Sequence, residues 1–175
     1  MKKTFVVLFC VLVLTMGLSA EEKAPCERMK LENCALFDFD IKMAFKHYGP
    51  IGVNVELLHA TGKPISVESG YCCDVMLRVA PVVWHPQPVA DTWYFCGCLI
   101  YKTSGPTPLG IRIINKDKLI GCCKAASKLP KSFPASKATV NLVWYLYPKC
   151  TEPYYIFVYE DKQHIVGAYT GKLYE

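Results

Sequence analysis

Motifs for the commoner catalytic chemistries are missing from this chain. There is no Gly-x-Ser-x-Gly elbow for a nucleophilic serine, no His-Glu-x-x-His pair for a catalytic zinc and no glycine-rich phosphate loop. Enzymatic activity is therefore not expected, and neither is a cofactor. Histidine is scarce, and His47, His59, His85 and His164 each fall at a turn or strand end, where a solvated imidazole is the ordinary reading. No Asn-x-Ser/Thr acceptor occurs, so N-glycosylation is not expected. Internal repeats, low-complexity segments and linkers are absent too. After the first twenty residues no apolar run approaches the roughly 20 residues needed to span a bilayer. The final residues, Gly171 to Glu175, read neither as the tail of a lipid anchor nor as a retention signal.

The N-terminus does carry a signal. Lys2 and Lys3 precede an apolar run from Phe5 to Leu14, and Gly17, Ser19 and Ala20 close it with small residues. Residues 1–20 are thus expected to be a secretory signal peptide, cleaved after Ala20 or after Ser19. The remaining 155 residues, 21–175, suit a single domain that buries about 70% of its unfolded surface. Loss of Lys2 and Lys3 lowers the formal net charge from +5 to +3, too little to imply nucleic acid. The charge is uneven. Arg112, Lys116, Lys118, Lys124, Lys128, Lys131 and Lys137 face Asp117 alone, giving either a solvated face or a surface for an acidic protein, glycan or membrane.

Of ten cysteines, Cys10 leaves with the signal, and nine remain: Cys26, Cys34, Cys72, Cys73, Cys96, Cys98, Cys122, Cys123 and Cys150. In an oxidising compartment these are expected to form disulfides, although connectivity cannot be read from sequence. On strands, the doublets Cys72–Cys73 and Cys122–Cys123 would point to opposite faces, while Cys96 and Cys98 would share one. The three clusters are expected to bond mainly among themselves, with Cys26, Cys34 and Cys150 tying down the ends. An odd count leaves one thiol, buried as a small hydrophobe or joined to a second chain as a covalent homodimer. Zinc is not expected, because ligand pairs two to four residues apart do not recur. Cys96-Gly97-Cys98 lies inside a run of aromatic and aliphatic residues, which favours a staple over a redox dithiol.

Strand signals dominate. Phe37, Phe39, Ile41, Met43 and Phe45 alternate with polar residues, and Ile51, Val53, Val55 and Leu57 resume the alternation after Tyr48-Gly49-Pro50. The pattern predicts a hairpin over 36–58, then a turn at Thr61-Gly62-Lys63-Pro64. Asp38, Asp40 and Lys42 would form an exposed charged face. Further strands are expected over 73–79, 92–102 (apolar on both faces, hence central), 111–114, 119–123, 140–147, 154–159 and 164–169. Pro130 and Pro134 preclude a long helix between 124 and 137. The expected fold is an all-β, disulfide-stabilised antiparallel β-sandwich of eight or nine strands, with a closed β-barrel as second choice.

Tyrosine clusters in the last third of the chain. Tyr145, Tyr147, Tyr155 and Tyr159 are candidates for an aromatic binding surface, and Lys116, Lys118, Lys124 and Lys128 for a basic one. Ser132-Phe133-Pro134, followed by Val140 to Leu146, resembles the penultimate strand of secreted lipid-recognition (ML) domains over about fifteen residues. That resemblance implies a β-sandwich holding lipid between its sheets. The functional expectation is a secreted, non-catalytic binding protein for an extracellular protein or glycan. The alternative is a carrier of lipid or a small hydrophobe.

Overall fold

A computed structural model of the protein describes residues 32–49, 54–65, 70–80, 88–144 and 151–174. The expected signal segment 1–20 lies outside the described residues, as do Cys26, Tyr145, Tyr147 and Cys150.

The chain is mostly β, but its first described element is a helix. In α1 (Asn33–Lys46) the buried residues are Leu36, Phe37, Asp40, Ile41 and Ala44, the spacing of a helical stripe. Phe39, Met43 and Phe45, which completed the apparent period-2 pattern, are only half-buried. The predicted first strand and its hairpin are therefore replaced by a helix followed by a strand. The charged strand face dissolves with it: Asp40 is fully buried, and Asp38 turns toward a second helix.

Eight strands follow: β1 (Val55–Pro64), β2 (Tyr71–Val79), β3 (Val89–Cys96), β4 (Leu99–Pro106), β5 (Thr139–Val143), β6 (Tyr154–Tyr159), β7 (Lys162–Gly167) and β8 (Leu173–Tyr174). They form one open antiparallel sheet in the order β4-β3-β2-β1-β5-β6-β7-β8. Among the described residues there is no second sheet to make a sandwich, and the edges β4 and β8 do not meet to close a barrel. What covers the sheet instead is α1 and the segment from Lys116 to Lys137. This segment holds a 3-10 turn at Lys116–Lys118, the short helix α2 (Cys122–Ala126) and another 3-10 turn at Ala135–Lys137.

Alternation decides which residues face that cover. Tyr71, Cys73, Val75 and Leu77 of β2 point inward, as do Val140 and Leu142 of β5 and Tyr155 and Phe157 of β6, all essentially inaccessible. Phe37 of α1 packs edge-on to Tyr155, with ring centroids 6.3 Å apart. The expected turn at Thr61–Pro64 is instead the end of β1, because Gly62 lets Tyr71 and Phe37 press onto the strand. A Cβ there would lie 1.9 Å from the Tyr71 hydroxyl.

The run 92–102, predicted as one central strand, folds into the β3–β4 hairpin with an unbroken register from Val89↔Pro106 to Cys96↔Leu99. Gly97 supplies the positive φ (58°) that a two-residue turn needs at its first position. The predicted strand over 111–114 contributes a single bridge, Leu57↔Ile114. That over 119–123 becomes the entry to α2. The last hairpin, β6–β7, forms, but its turn is Glu160 and Asp161 alone, shorter than the expected 160–163, and β7 starts at Lys162, two residues before the expected strand 164–169.

One staple joins two of the cysteine clusters. Cys72 and Cys96 are register partners on neighbouring strands, their Cα atoms 4.2 Å apart, and they are disulfide-bonded. Cys98 is also disulfide-bonded. Because the turn intervenes, Cys96 and Cys98 do not share a strand face.

Candidate functional site

Among the described residues, a run of three consecutive exposed large apolar side chains lies on the β4 edge. Every residue of β4 except Gly105 is exposed, and its start carries three consecutive apolar side chains. Leu99, Ile100 and Tyr101 are 72%, 46% and 57% exposed. Tyr101 stacks on Tyr94 of β3, with ring centroids 4.6 Å apart and planes 13° from parallel. The two rings form a flat platform on the sheet face opposite the helices.

The other face of this hairpin is anchored. Asp91 of β3 is buried and accepts hydrogen bonds from the Tyr48 hydroxyl, from Ser104 Oγ at 2.5 Å and from Lys102 Nζ at 2.9 Å. Trp93 Nε1 donates to the Tyr48 hydroxyl at 2.9 Å, and the His47 ring stacks on Trp93 at 4.2 Å. Burial alone would raise the Asp91 pKa, but the bonds from Ser104, Tyr48 and Lys102 outweigh it and hold the carboxyl below its ordinary value. The C-terminal end of α1 is thereby tied to β3 and β4. The ammonium of Lys102 is drawn inward, away from the open edge. Edge strands usually defend themselves with outward charge, proline or a bulge. Here the register is unbroken and the only proline, Pro106, stands at the far end.

A second feature occupies the same open face further along the sheet. The 107–113 loop folds over β1 and β5 and leaves a cavity of about 350 Å³, lined by Leu58, His59, Leu109, Val143 and Trp144 among others. Trp144 Nε1 donates to the Ile113 carbonyl at 2.8 Å, and the Arg112 guanidinium lies 5.4 Å from its ring centroid. This is near the lower end of the range for small-ligand pockets.

The predicted binding residues are scattered. Tyr155 is fully buried in the core, so it cannot belong to a surface. Tyr159 is half-buried against the core, and Tyr145 and Tyr147 lie outside the described residues. Lys116, Lys118, Lys124 and Lys128 are all exposed on the helical cover. Lys116 pairs with Asp117 at 2.7 Å and sits over the Phe45 ring. Sequence reasoning missed the β4 edge because a run apolar on both faces reads as buried. The signal was Gly97, which splits that run in two.

Cysteine placement also departs from expectation. Cys122 and Cys123 open α2 instead of a strand, and Cys34 opens α1 opposite them, so Cys34 joins the second doublet instead of an end of the chain. No group of His, Cys, Asp and Glu among the described residues has metal-site geometry, and no helix among them is long and apolar enough to cross a membrane.

No family model matches the chain, and no curated protein matches it. A solved structure is similar in fold: a candidate lipoprotein of Clostridium difficile 630, at a TM-score of 0.53 and 6% identity, over 84% of this chain and 95% of that one. At that identity the likeness concerns the fold alone. The two-sheet lipid sandwich that the ML resemblance implied is not what the described residues build.

Proposed function

We propose that this chain is an extracellular binding protein that takes an extended segment of a partner polypeptide along β4. The carrying observation is the eight-residue edge whose first three side chains, Leu99, Ile100 and Tyr101, are exposed. A free strand edge offers a ladder of backbone donors and acceptors, and alternate side-chain contacts add specificity. The Tyr94–Tyr101 platform supplies a rigid aromatic contact beside it. The opposite edge, β8, is only two residues long and offers no comparable template. The lipoprotein-like fold neighbour and the N-terminal signal pattern support an extracellular or surface setting.

The test is a displayed library of random extended peptides screened against the full chain. Selected peptides should lose affinity about tenfold or more, equivalent to about 1.4 kcal/mol, when Leu99 and Tyr101 are changed to lysine. Charge reversal at Lys118 and Lys124 should leave them bound. Loss confined to the lysine variants would move the site to the basic face, and failure to select any peptide would remove the reading.

The cavity beside Trp144 supports a second reading, a carrier of a small hydrophobe. A fluorescent fatty-acid probe should then bind stoichiometrically and raise Tm, with both effects lost in Trp144→Ala. If neither appears in the wild type, the carrier reading fails.

A further inference from the structure

Three thiols meet on the covered side of the sheet, away from both surfaces described above. Cys34 lies in the first turn of α1, and Cys122 and Cys123 in the first turn of α2. The Cys34 side chain is in hydrogen-bond contact with both of the other thiols. Asp38, one helical turn beyond Cys34, accepts the backbone N–H of Cys122 at 2.8 and 2.9 Å and so clamps the start of α2 against α1. Gly121 makes this approach feasible. It holds φ at 82°, and a Cβ there would press on the Asp38 carboxylate at 3.2 Å. Accessibility is graded across the trio: Cys122 is buried, Cys34 half-buried and Cys123 exposed. Cys34 can bond to only one of its two thiol neighbours at a time, so one thiol is always left to attack that bond.

We propose that Cys34, Cys122 and Cys123 form a thiol–disulfide exchange site in which Cys34 bonds alternately to Cys123 and Cys122. Cys34 is the attacking sulfur. The Cys122 thiol, and more weakly that of Cys123, donates to it and holds it below the ordinary cysteine range, against burial and the nearby Asp38 and Glu32 carboxylates. Burial and neighbouring negative charge raise Cys123 instead.

The oxidant is a low-molecular-weight disulfide, RSSR, of the glutathione class. The Cys34 thiolate attacks one sulfur of RSSR, whose S–S bond breaks and releases RS⁻, leaving Cys34 as a mixed disulfide. Cys123 gives its proton to solvent and attacks Cys34 Sγ, expelling the second RS⁻. Two protein thiols have then lost two electrons and two protons, and RSSR has become two RSH. The exchange step is redox-neutral. Burial keeps the Cys122 sulfur protonated at rest, so it attacks Cys34 Sγ as its proton is lost to the departing Cys123 sulfur through solvent; the buried Cys34–Cys122 bond forms as Cys34–Cys123 breaks, and Cys123 is released as an exposed thiol. Each turn of exchange therefore moves the spare thiol between the interior and the surface.

The experiment uses the full secreted chain, equilibrated in graded ratios of reduced to oxidised glutathione, acid-quenched, alkylated and mapped by tandem mass spectrometry with cleavage between Cys122 and Cys123. Two thiols of the trio should disappear together, both linkages should coexist at one ratio, and Cys72–Cys96 should stay closed throughout. Cys123→Ser should give Cys34–Cys122 alone, Cys122→Ser should give Cys34–Cys123 alone, and in Cys34→Ser no bond should form within the trio. The Cys123 site is exposed, so its variant tests linkage without disturbing the core. Cys34 bonded to a cysteine outside the trio, Cys34 remaining a thiol at every ratio, or one linkage that never exchanges would each overturn the proposal.

Discussion

Tyr155 carries its hydroxyl into the core, where it has no hydrogen-bond partner among the described residues. A buried, unpaired hydroxyl costs about 1–3 kcal/mol of desolvation, while its ring contributes apolar packing against Phe37 and Phe157. Tyr155→Phe is therefore expected to be neutral or to stabilise by up to about 1 kcal/mol in chemical denaturation. Asp91 is the opposite case, a buried carboxyl with three donors. Its pKa is depressed in the folded state, so its contribution is present above the unfolded value of about 3.9 and is lost as pH falls through the folded one. Asp91→Asn should be less stable than wild type at pH 7, and the two should converge near pH 2 when melted side by side. A gap that persisted at pH 2 would show that the carboxylate charge is not what stabilises the hairpin. Neither residue could be assigned its role in advance. Tyr155 and Tyr159 look alike in the sequence, and one is core while the other is at its margin.

At the scale of elements, the 37–45 segment shows how two periods can coexist in one stretch. Phe37, Phe39, Ile41, Met43 and Phe45 satisfy a strand, and Leu36, Phe37, Asp40, Ile41 and Ala44 satisfy a helix. The helix forms because the apolar faces of β1 and β2 need a cover, and a helix can lay one stripe on a sheet whose strands are already paired. Substitution distinguishes the two. Phe37→Ala should cost about 3–5 kcal/mol. Phe39→Ala, half-buried, should cost clearly less; equal losses by urea denaturation would restore the strand. The β3–β4 hairpin carries a related lesson. Apolar residues on both faces announced a buried centre, yet the chain reverses at Gly97 and leaves Leu99–Tyr101 on an edge.

For the molecule as a whole, strand order sets the hierarchy of stability. β2, β1, β5 and β6 stand in the middle of the sheet and carry most of the fully buried side chains, while among the described residues β4 and β8 are paired on one side only. Amide hydrogen exchange should accordingly be slowest in β1, β2 and β6 and fastest in β4 and β8. Strong protection along β4 in the isolated chain would mean that its edge is already occupied, which would remove the proposed docking strand.

The sequence by itself determined the β-rich character, the strands β2 and β5 with their inward faces, the strand β6 without its inward face, the last hairpin and the clustering of cysteines. These follow from local alternation and turn chemistry, which act over a few residues. Only the tertiary structure decided that the sheet is single and open, that 33–46 is its helical cover, that Cys72 meets Cys96, and that Cys34 meets Cys122 and Cys123. Each of these depends on which distant segment satisfies an exposed apolar face or a neighbouring thiol, and that choice is made by packing across the whole chain.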